Sequence, residues 1–168
     1  MVLRLFANAV GPLTWYPSRF KEGVEGVTAM ELLKLNEDDL ALVERTRRLI
    51  RKRHSDISGV SAGVRTAKGS EFYGLCVDAK TSTVGMCAEF AAIGSMLTEG
   101  ERRIKTMVAI SYKGKGLYRI LPPCGKCRDL AREFGDPYVI LQKGKDFGEP
   151  RKVRLSELVP APWDSYWI

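Results

Sequence analysis

The first sustained periodicity in the chain begins at Asn36. The stretch NEDDLALVERTRRLI sets Leu40, Val43 and Ile50 at helical spacing behind three acidic residues. Asn36 is a favourable N-cap, and an acidic first turn suits the helix dipole. The pattern predicts a helix over about 37 to 53. Val60 to Arg65 (VSAGVR) and the run EFYGLCVD flank the turn AKGS and read as a hairpin. Met86 to Leu97 (MCAEFAAIGSML) reads as an Ala-rich apolar helix that ends at Gly100. Ile104 to Tyr112 (IKTMVAISY) reads as a buried strand, followed by the turn KGKG and a short strand, LYRIL. Gly125 to Phe134 is expected as a short helix and Tyr138 to Gln142 as a strand. Val153 to Leu158 is expected to open a final turn or helix. The order α-β-β-α-β-β-α-β implies an α/β fold, a three-layer α/β/α domain on one five-stranded mixed sheet. That domain is expected over 37–168. Residues 1–36 are expected as an N-terminal extension of unknown role, with Pro12 and Pro17 breaking any helix. Trp15, Tyr16 and Phe20 in it read as core-packing residues ahead of interface anchors.

Composition narrows the class. The chain has 168 residues, 45% of them hydrophobic, which suits one domain with a real core. No apolar run approaches the roughly 20 residues that span a membrane. The opening MVLRLFANAVGPL lacks the basic region and small-residue cleavage site of a signal peptide. A cytoplasmic protein without membrane contact is expected. The net charge of +7 permits a nucleic-acid partner without requiring one. The one basic cluster, RTRRLIRKR at Arg45 to Arg53, reads as a solvated helix face ahead of a phosphate-binding patch.

Candidate chemistry centres on four cysteines, Cys76, Cys87, Cys124 and Cys127. Without an export signal, metal binding or catalysis is a better expectation than disulfides. Taken alone, LPPCGKCRDL fits a redox pair, half of a structural zinc site, or part of a catalytic metal centre. Cys87 stands at the start of one expected helix, and Cys124 and Cys127 at the start of another. Helix N-termini favour thiolates, and three thiolates suit Zn2+. A fourth protein ligand, from Cys76 or from His54, would close the site. Glu89 lies two residues after Cys87, where a carboxylate can reach a metal's water without taking the metal. Three protein ligands plus water is the catalytic zinc pattern, and a neighbouring Glu can move the protons.

Cys87-Ala88-Glu89 followed by Pro123-Cys124-Gly125-Lys126-Cys127 resembles the zinc-dependent cytidine deaminase superfamily, whose signature is a ligand-x-Glu and then Pro-Cys-x-x-Cys. The likeness runs over roughly 39 to 160, through VSAGVRT, the F-x-G-x strand and the late SELVP. It is nearest to the short, three-cysteine, homotetrameric branch, which includes cytidine and blasticidin S deaminases. The resemblance implies one zinc on Cys87, Cys124 and Cys127, with Glu89 as acid/base. It implies a small-molecule aminopyrimidine substrate, such as cytidine, deoxycytidine or a blasticidin S-like analogue. A zinc-activated water would attack the amino-bearing ring carbon and release ammonia. The backbone near Ala88 is expected to meet the ring. The alternatives are a deaminase acting on single-stranded DNA or RNA, and a zinc-stabilised member without activity.

Three positions depart from the family pattern. Cys76-Val77-Asp78 stands where nucleoside deaminases carry the Asn-x-Glu that grips ribose, so Cys76 and Asp78 become the substrate-binding candidates there. Cys76 otherwise reads as a small buried hydrophobe. Phe90 follows Glu89 where an Arg usually offsets thiolate charge, which leaves Arg128 or Lys126 for that task. Ile57-Ser58-Gly59 replaces the Phe-Pro whose Phe packs on the base. Trp163, Tyr166 and Trp167 in the tail are the candidate aromatic surface, in their own or a neighbouring subunit's site. His54 reads as a structural or surface residue.

Overall fold

The computed structural model describes residues 30–142 and 149–159. Among the described residues there are seven strands: β1 (Leu33–Lys34), β2 (Val60–Thr66), β3 (Glu71–Leu75), β4 (Ile104–Tyr112), β5 (Tyr118–Leu121), β6 (Tyr138–Leu141) and β7 (Arg151–Arg154). Three α-helices join them: α1 (Glu37–Arg53), α2 (Ala88–Thr98) and α3 (Gly125–Arg132). Short 3-10 turns occur at Ser82–Val84 and Leu155–Leu158. No helix among the described residues is long and apolar enough to cross a membrane.

The start of α1 follows from its sequence. The Asn36 side chain accepts from the Asp39 backbone N–H at 2.9 Å, and the Asp39 carboxylate accepts from the Asn36 N–H at 3.2 Å. This reciprocal capping satisfies two donors that a helix start would otherwise leave open. The strand order is β1-β7-β6-β4-β2-β3. One edge of β4 is shared: Thr106 and Met107 pair with β6 in parallel, and Ala109 to Tyr112 pair with β5 antiparallel. The remaining pairings are antiparallel. The sheet is therefore mixed, as expected, but has seven strands rather than five.

Both additional strands lie at one edge. Leu33–Lys34 belongs to the stretch expected as extension, and it pairs with Lys152 and Arg151. The segment expected to open a turn or helix from Val153 is instead strand β7, and the turn begins at Leu155. RKVR carries a single buried apolar residue, Val153, so no period-2 pattern announces it.

Alternation along β4 builds two cores. Val108 and Ile110 face α1, where Leu42 and Ile50 are fully buried with Ile120 and Ile140. Met107 and Ala109 face the other way, toward Ala92, Ile93 and Met96 of α2 and Ala131 of α3. A strand covered on both faces reads as a continuous apolar run. The three-layer arrangement follows from these two clusters.

Gly74 sets how closely α2 approaches the sheet. A Cβ there would fall within 3.0 Å of the Ala92 N, the Ala88 carbonyl and the Ala91 Cβ. The first turns of α2 thus lie directly on the β3 backbone. On the opposite face, Arg65 meets the Asp39 carboxylate at 2.7 Å and Lys152 meets it at 2.6 Å. This buried cluster ties α1 to β2 and to edge strand β7.

Candidate active site

Two helix starts converge on the Gly74 side of the sheet. Cys87 is the N-cap of α2 and Cys124 the N-cap of α3, both with extended backbone. Neither thiol is used as a capping acceptor, so both are available to a metal. Cys127 lies in the first turn of α3 and is fully buried. Cys124 is exposed and Cys87 is half-buried.

The three sulfurs lie within 4.8 Å of one another. Cys124 Sγ stands 3.4 Å from Cys127 Sγ and 3.9 Å from Cys87 Sγ. A tetrahedral zinc with bonds of about 2.3 Å sets its sulfurs about 3.8 Å apart. The donor set and its spacing fit that ion, with one coordination position left for a non-protein ligand.

Electrostatics also call for a cation. Burial pushes the Cys127 thiol far up, and the Glu89 carboxylate and the Cys124 sulfur add to the shift. Burial likewise raises Cys87. Burial opposes ionisation of Cys124 too, but the Cys127 backbone N–H and the neighbouring thiols outweigh it and bring that thiol down. One thiolate is favoured at the expense of the other two. A dication at the centre reverses this, because a coordinated thiol is deprotonated outright.

Beside the sulfurs is a pocket of about 480 Å³. Cys87, Ala88, Glu89 and Cys124 line one wall, and Cys76, Val77 and Asp78 line another. Glu89 is 6% exposed, in the first turn of α2. Cys76 is buried; its Sγ accepts from the Val60 N–H at 3.2 Å and stands 3.5 Å from Asp78 Oδ2. Burial raises the Cys76 thiol, so it faces the pocket in neutral form. Asp78 itself is exposed and also lines the pocket.

This wall is firmly held. Cys76 N donates to Val60 O, Val77 and Met86 exchange both backbone bonds, and Asp78 N donates to Ile57 O. The exchange with Met86 ties the wall to the residue just before Cys87. Sequence reasoning did not single out Val60, Met86, Ala109, Leu121 or Pro122, which add apolar surface to the lining. Leu121 and Pro122 lie within the quoted LPPCGKC run, which was their one available signal.

The other candidates are distributed as follows. Lys126 lines the pocket. Arg128 donates from Nε to the Pro123 carbonyl and from Nη1 to the Leu158 carbonyl, each at 2.9 Å. His54 is exposed at the end of α1, edge-on to the Tyr112 ring. Phe90 and Ile57 are exposed. No described lining residue is aromatic. Trp163, Tyr166 and Trp167 lie outside the described residues, as do Trp15, Tyr16 and Phe20.

Comparison with known proteins agrees with this site. A family model described as the cytidine and deoxycytidylate deaminase zinc-binding region matches residues 36–143. A blasticidin-S deaminase from Bacillus cereus is 29% identical over 137 residues, which is 78% of this chain and 96% of that protein. A probable cytidine deaminase from Dictyostelium discoideum is 32% identical over 84 residues, 50% of this chain and 55% of that protein. Among solved structures, the cytidine deaminase from Bacillus anthracis superimposes with a TM-score of 0.67 at 19% identity, covering 79% of this chain and 93% of that one. The cytidine deaminase from Burkholderia pseudomallei gives 0.61 at 24% identity, covering 77% and 100%.

Proposed function

The chain belongs to the cytidine and deoxycytidylate deaminase family with its zinc-binding region, and from that premise we propose a zinc-dependent hydrolase of small aminopyrimidine nucleosides. Its substrate is cytidine, deoxycytidine or a relative of them, blasticidin S-like compounds included. One observation carries the reading. A buried carboxylate, Glu89, lines one pocket with Cys87 and Cys124 and stands in the helix turn that Cys87 opens, beside a three-sulfur cluster whose donors leave a tetrahedral ion one position for a non-protein ligand. A purely structural zinc site needs neither the open position nor the carboxylate.

Cys87, Cys124 and Cys127 would hold the ion. Bound there, zinc supplies the Lewis acidity that generates a nucleophile at neutral pH. Glu89 takes a proton from the attacking water and passes it to the ring nitrogen. A second transfer sends the amine off as ammonia, and the ring carbon keeps the water's oxygen as a carbonyl. Burial within the first turn of α2 keeps the Glu89 carboxylate in one place for both transfers. The Ala88 backbone lies against the ring. Cys76 and Asp78 form the end of the pocket that meets the sugar or its substitute. Asp78 is acceptor-only and Cys76 a weak donor, so this end favours hydroxyl and amino groups of the substrate over carbonyls. The aromatic tail, Trp163, Tyr166 and Trp167, supplies the stacking surface that the described lining lacks. A homotetramer is the assembly in which a tail can reach a neighbour's pocket.

The test is ammonia release from the zinc-loaded protein with cytidine, deoxycytidine, cytosine, blasticidin S and a single-stranded oligonucleotide. Turnover of one or more small nucleosides is expected. Conversion of the oligonucleotide alone overturns the reading.

A further inference from the structure

Arg128 offers a positive charge near the thiolates, yet its hydrogen bonds go to backbone carbonyls. Its Nε binds the Pro123 carbonyl at 2.9 Å, and its own backbone N–H binds the Cys124 carbonyl at 3.0 Å. These two carbonyls belong to the peptide groups on either side of the Cys124 α-carbon. The helix's own backbone bond holds the peptide after that cysteine, and the Arg128 side chain holds the peptide before it. Its Nη1 reaches on to the Leu158 carbonyl, at the end of the Leu155–Leu158 turn.

Cys124 needs such a restraint more than its partners do. Cys127 is fully buried inside α3. Cys87 follows Met86, which is fastened to Val77 by two backbone bonds. Cys124 is exposed, and its side chain makes no capping bond. Packing does not hold it.

We propose that Arg128 is a positioning residue for the metal centre. Its guanidinium fork sets the orientation of Cys124 and couples the turn ending at Leu158 to the ligand set. This rests on the reading of Cys87, Cys124 and Cys127 as ligands. A lysine would keep the charge, but it is a flexible point donor and cannot reproduce two fixed donor directions. A charge-offset role would tolerate that exchange, whereas a positioning role does not.

The experiment measures metal binding by the full chain, not turnover. Zn2+ affinity is read by chelator competition, and Co2+ loading by its thiolate charge-transfer absorption, for wild type, R128K, R128A, C124A and R128K/C124A. Circular dichroism checks that each variant folds, and R128K decides should R128A not fold. R128K is expected to lose ten- to a hundred-fold in affinity, the range for residues that orient metal ligands. R128K/C124A is expected to bind no more weakly than C124A, because Arg128 acts through that cysteine. A loss below tenfold in R128K, or additive losses in the double variant, overturns the proposal. A wild-type protein that binds neither ion overturns the ligand reading itself.

Discussion

Replacing Gly74 by Ala tests how the fold places the site. The added Cβ would meet two backbone atoms, Ala92 N and the Ala88 carbonyl, inside 3.0 Å, with the Ala91 Cβ at 2.6 Å. Neither backbone atom can swing aside as a side chain does. Helix α2 must retreat by roughly 1 Å to restore ordinary contact at about 3.5 Å. Overpacking of this kind costs about 1–3 kcal/mol, and a backbone clash puts it near the top of that range. Loss of glycine's freedom in the unfolded chain returns about 0.4–1 kcal/mol. The net is a destabilisation of about 2 kcal/mol, or roughly 4–8 °C in Tm for a domain of this size. Gly94 lies in the same helix, with nothing within 4 Å of its would-be Cβ. G94A should therefore stabilise by about 0.5–1 kcal/mol. Urea unfolding of both variants, followed by circular dichroism, measures the two signs together. Because α2 carries Glu89 and begins at Cys87, a 1 Å retreat should also cost G74A about a hundred-fold in turnover. A G74A protein as stable as wild type would refute the claim that α2 rests on the β3 backbone.

E89Q should keep its zinc, by elemental analysis, while ammonia release falls by about 10²–10⁴-fold. Stripping the metal with a chelator should abolish turnover, and zinc should restore it. D39A should destabilise by about 3–5 kcal/mol in urea unfolding, because it leaves Arg65 buried without its partner. Burial opposes ionisation of Asp39, yet the Lys152 hydrogen bond, the Asn36 N–H and Arg65 outweigh it and hold its pKa below the usual value. A depressed carboxylate stabilises the fold above its unfolded pKa, about 4, and that stability is lost as pH falls through the lower folded pKa. Wild-type unfolding midpoints should therefore drop below about pH 4, with a shallower drop in D39A.

What the sequence made legible was whatever has a local cause. Helix α1 runs from Glu37 to Arg53 as expected, since Asn36, the acidic first turn and the apolar spacing all act within a few residues. Strand β4 runs over Ile104–Tyr112 as expected, because burial on both faces writes an unbroken apolar run. The edge pair β1 and β7 was invisible for the converse reason. Leu33–Lys34 and Arg151–Arg154 are short and mostly charged; the first exists only through its pairing with Lys152 and Arg151 far along the chain, and the second is held between it and Tyr138–Leu141. Lys152 is basic in sequence, but in space it closes the Asp39 cluster and lies over the Tyr138 ring. The three cysteines were legible as a set because each stands at a helix start. The bonds that orient them were not, since Pro123, Leu158 and Arg128 meet only in the folded chain.

Two kinds of support meet at the pocket, and they differ in what they hold. The metal side is built from helix starts: Gly74 seats α2, and Arg128 ties down the approach to α3. The proposed substrate side is built from strand ends: backbone bonds fasten Cys76, Val77 and Asp78 to Val60, Met86 and Ile57, and the Cys76 Sγ adds a bond from the Val60 N–H. Backbone bonds do not depend on which side chain a residue carries. Asp78, held to Ile57 through its backbone N–H, can therefore differ from the Glu of nucleoside deaminases without loosening the wall. The exchange between Val77 and Met86 carries that wall directly to Cys87. Substitutions at Asp78 should accordingly change which substrates turn over while leaving zinc affinity within about threefold, the scatter common among context-dependent surface effects below 1 kcal/mol. Comparing D78A with D78N on the nucleoside panel, with zinc affinity measured alongside, tests this separation. A D78N protein that lost its zinc would show that the two sides of the pocket are one structure after all.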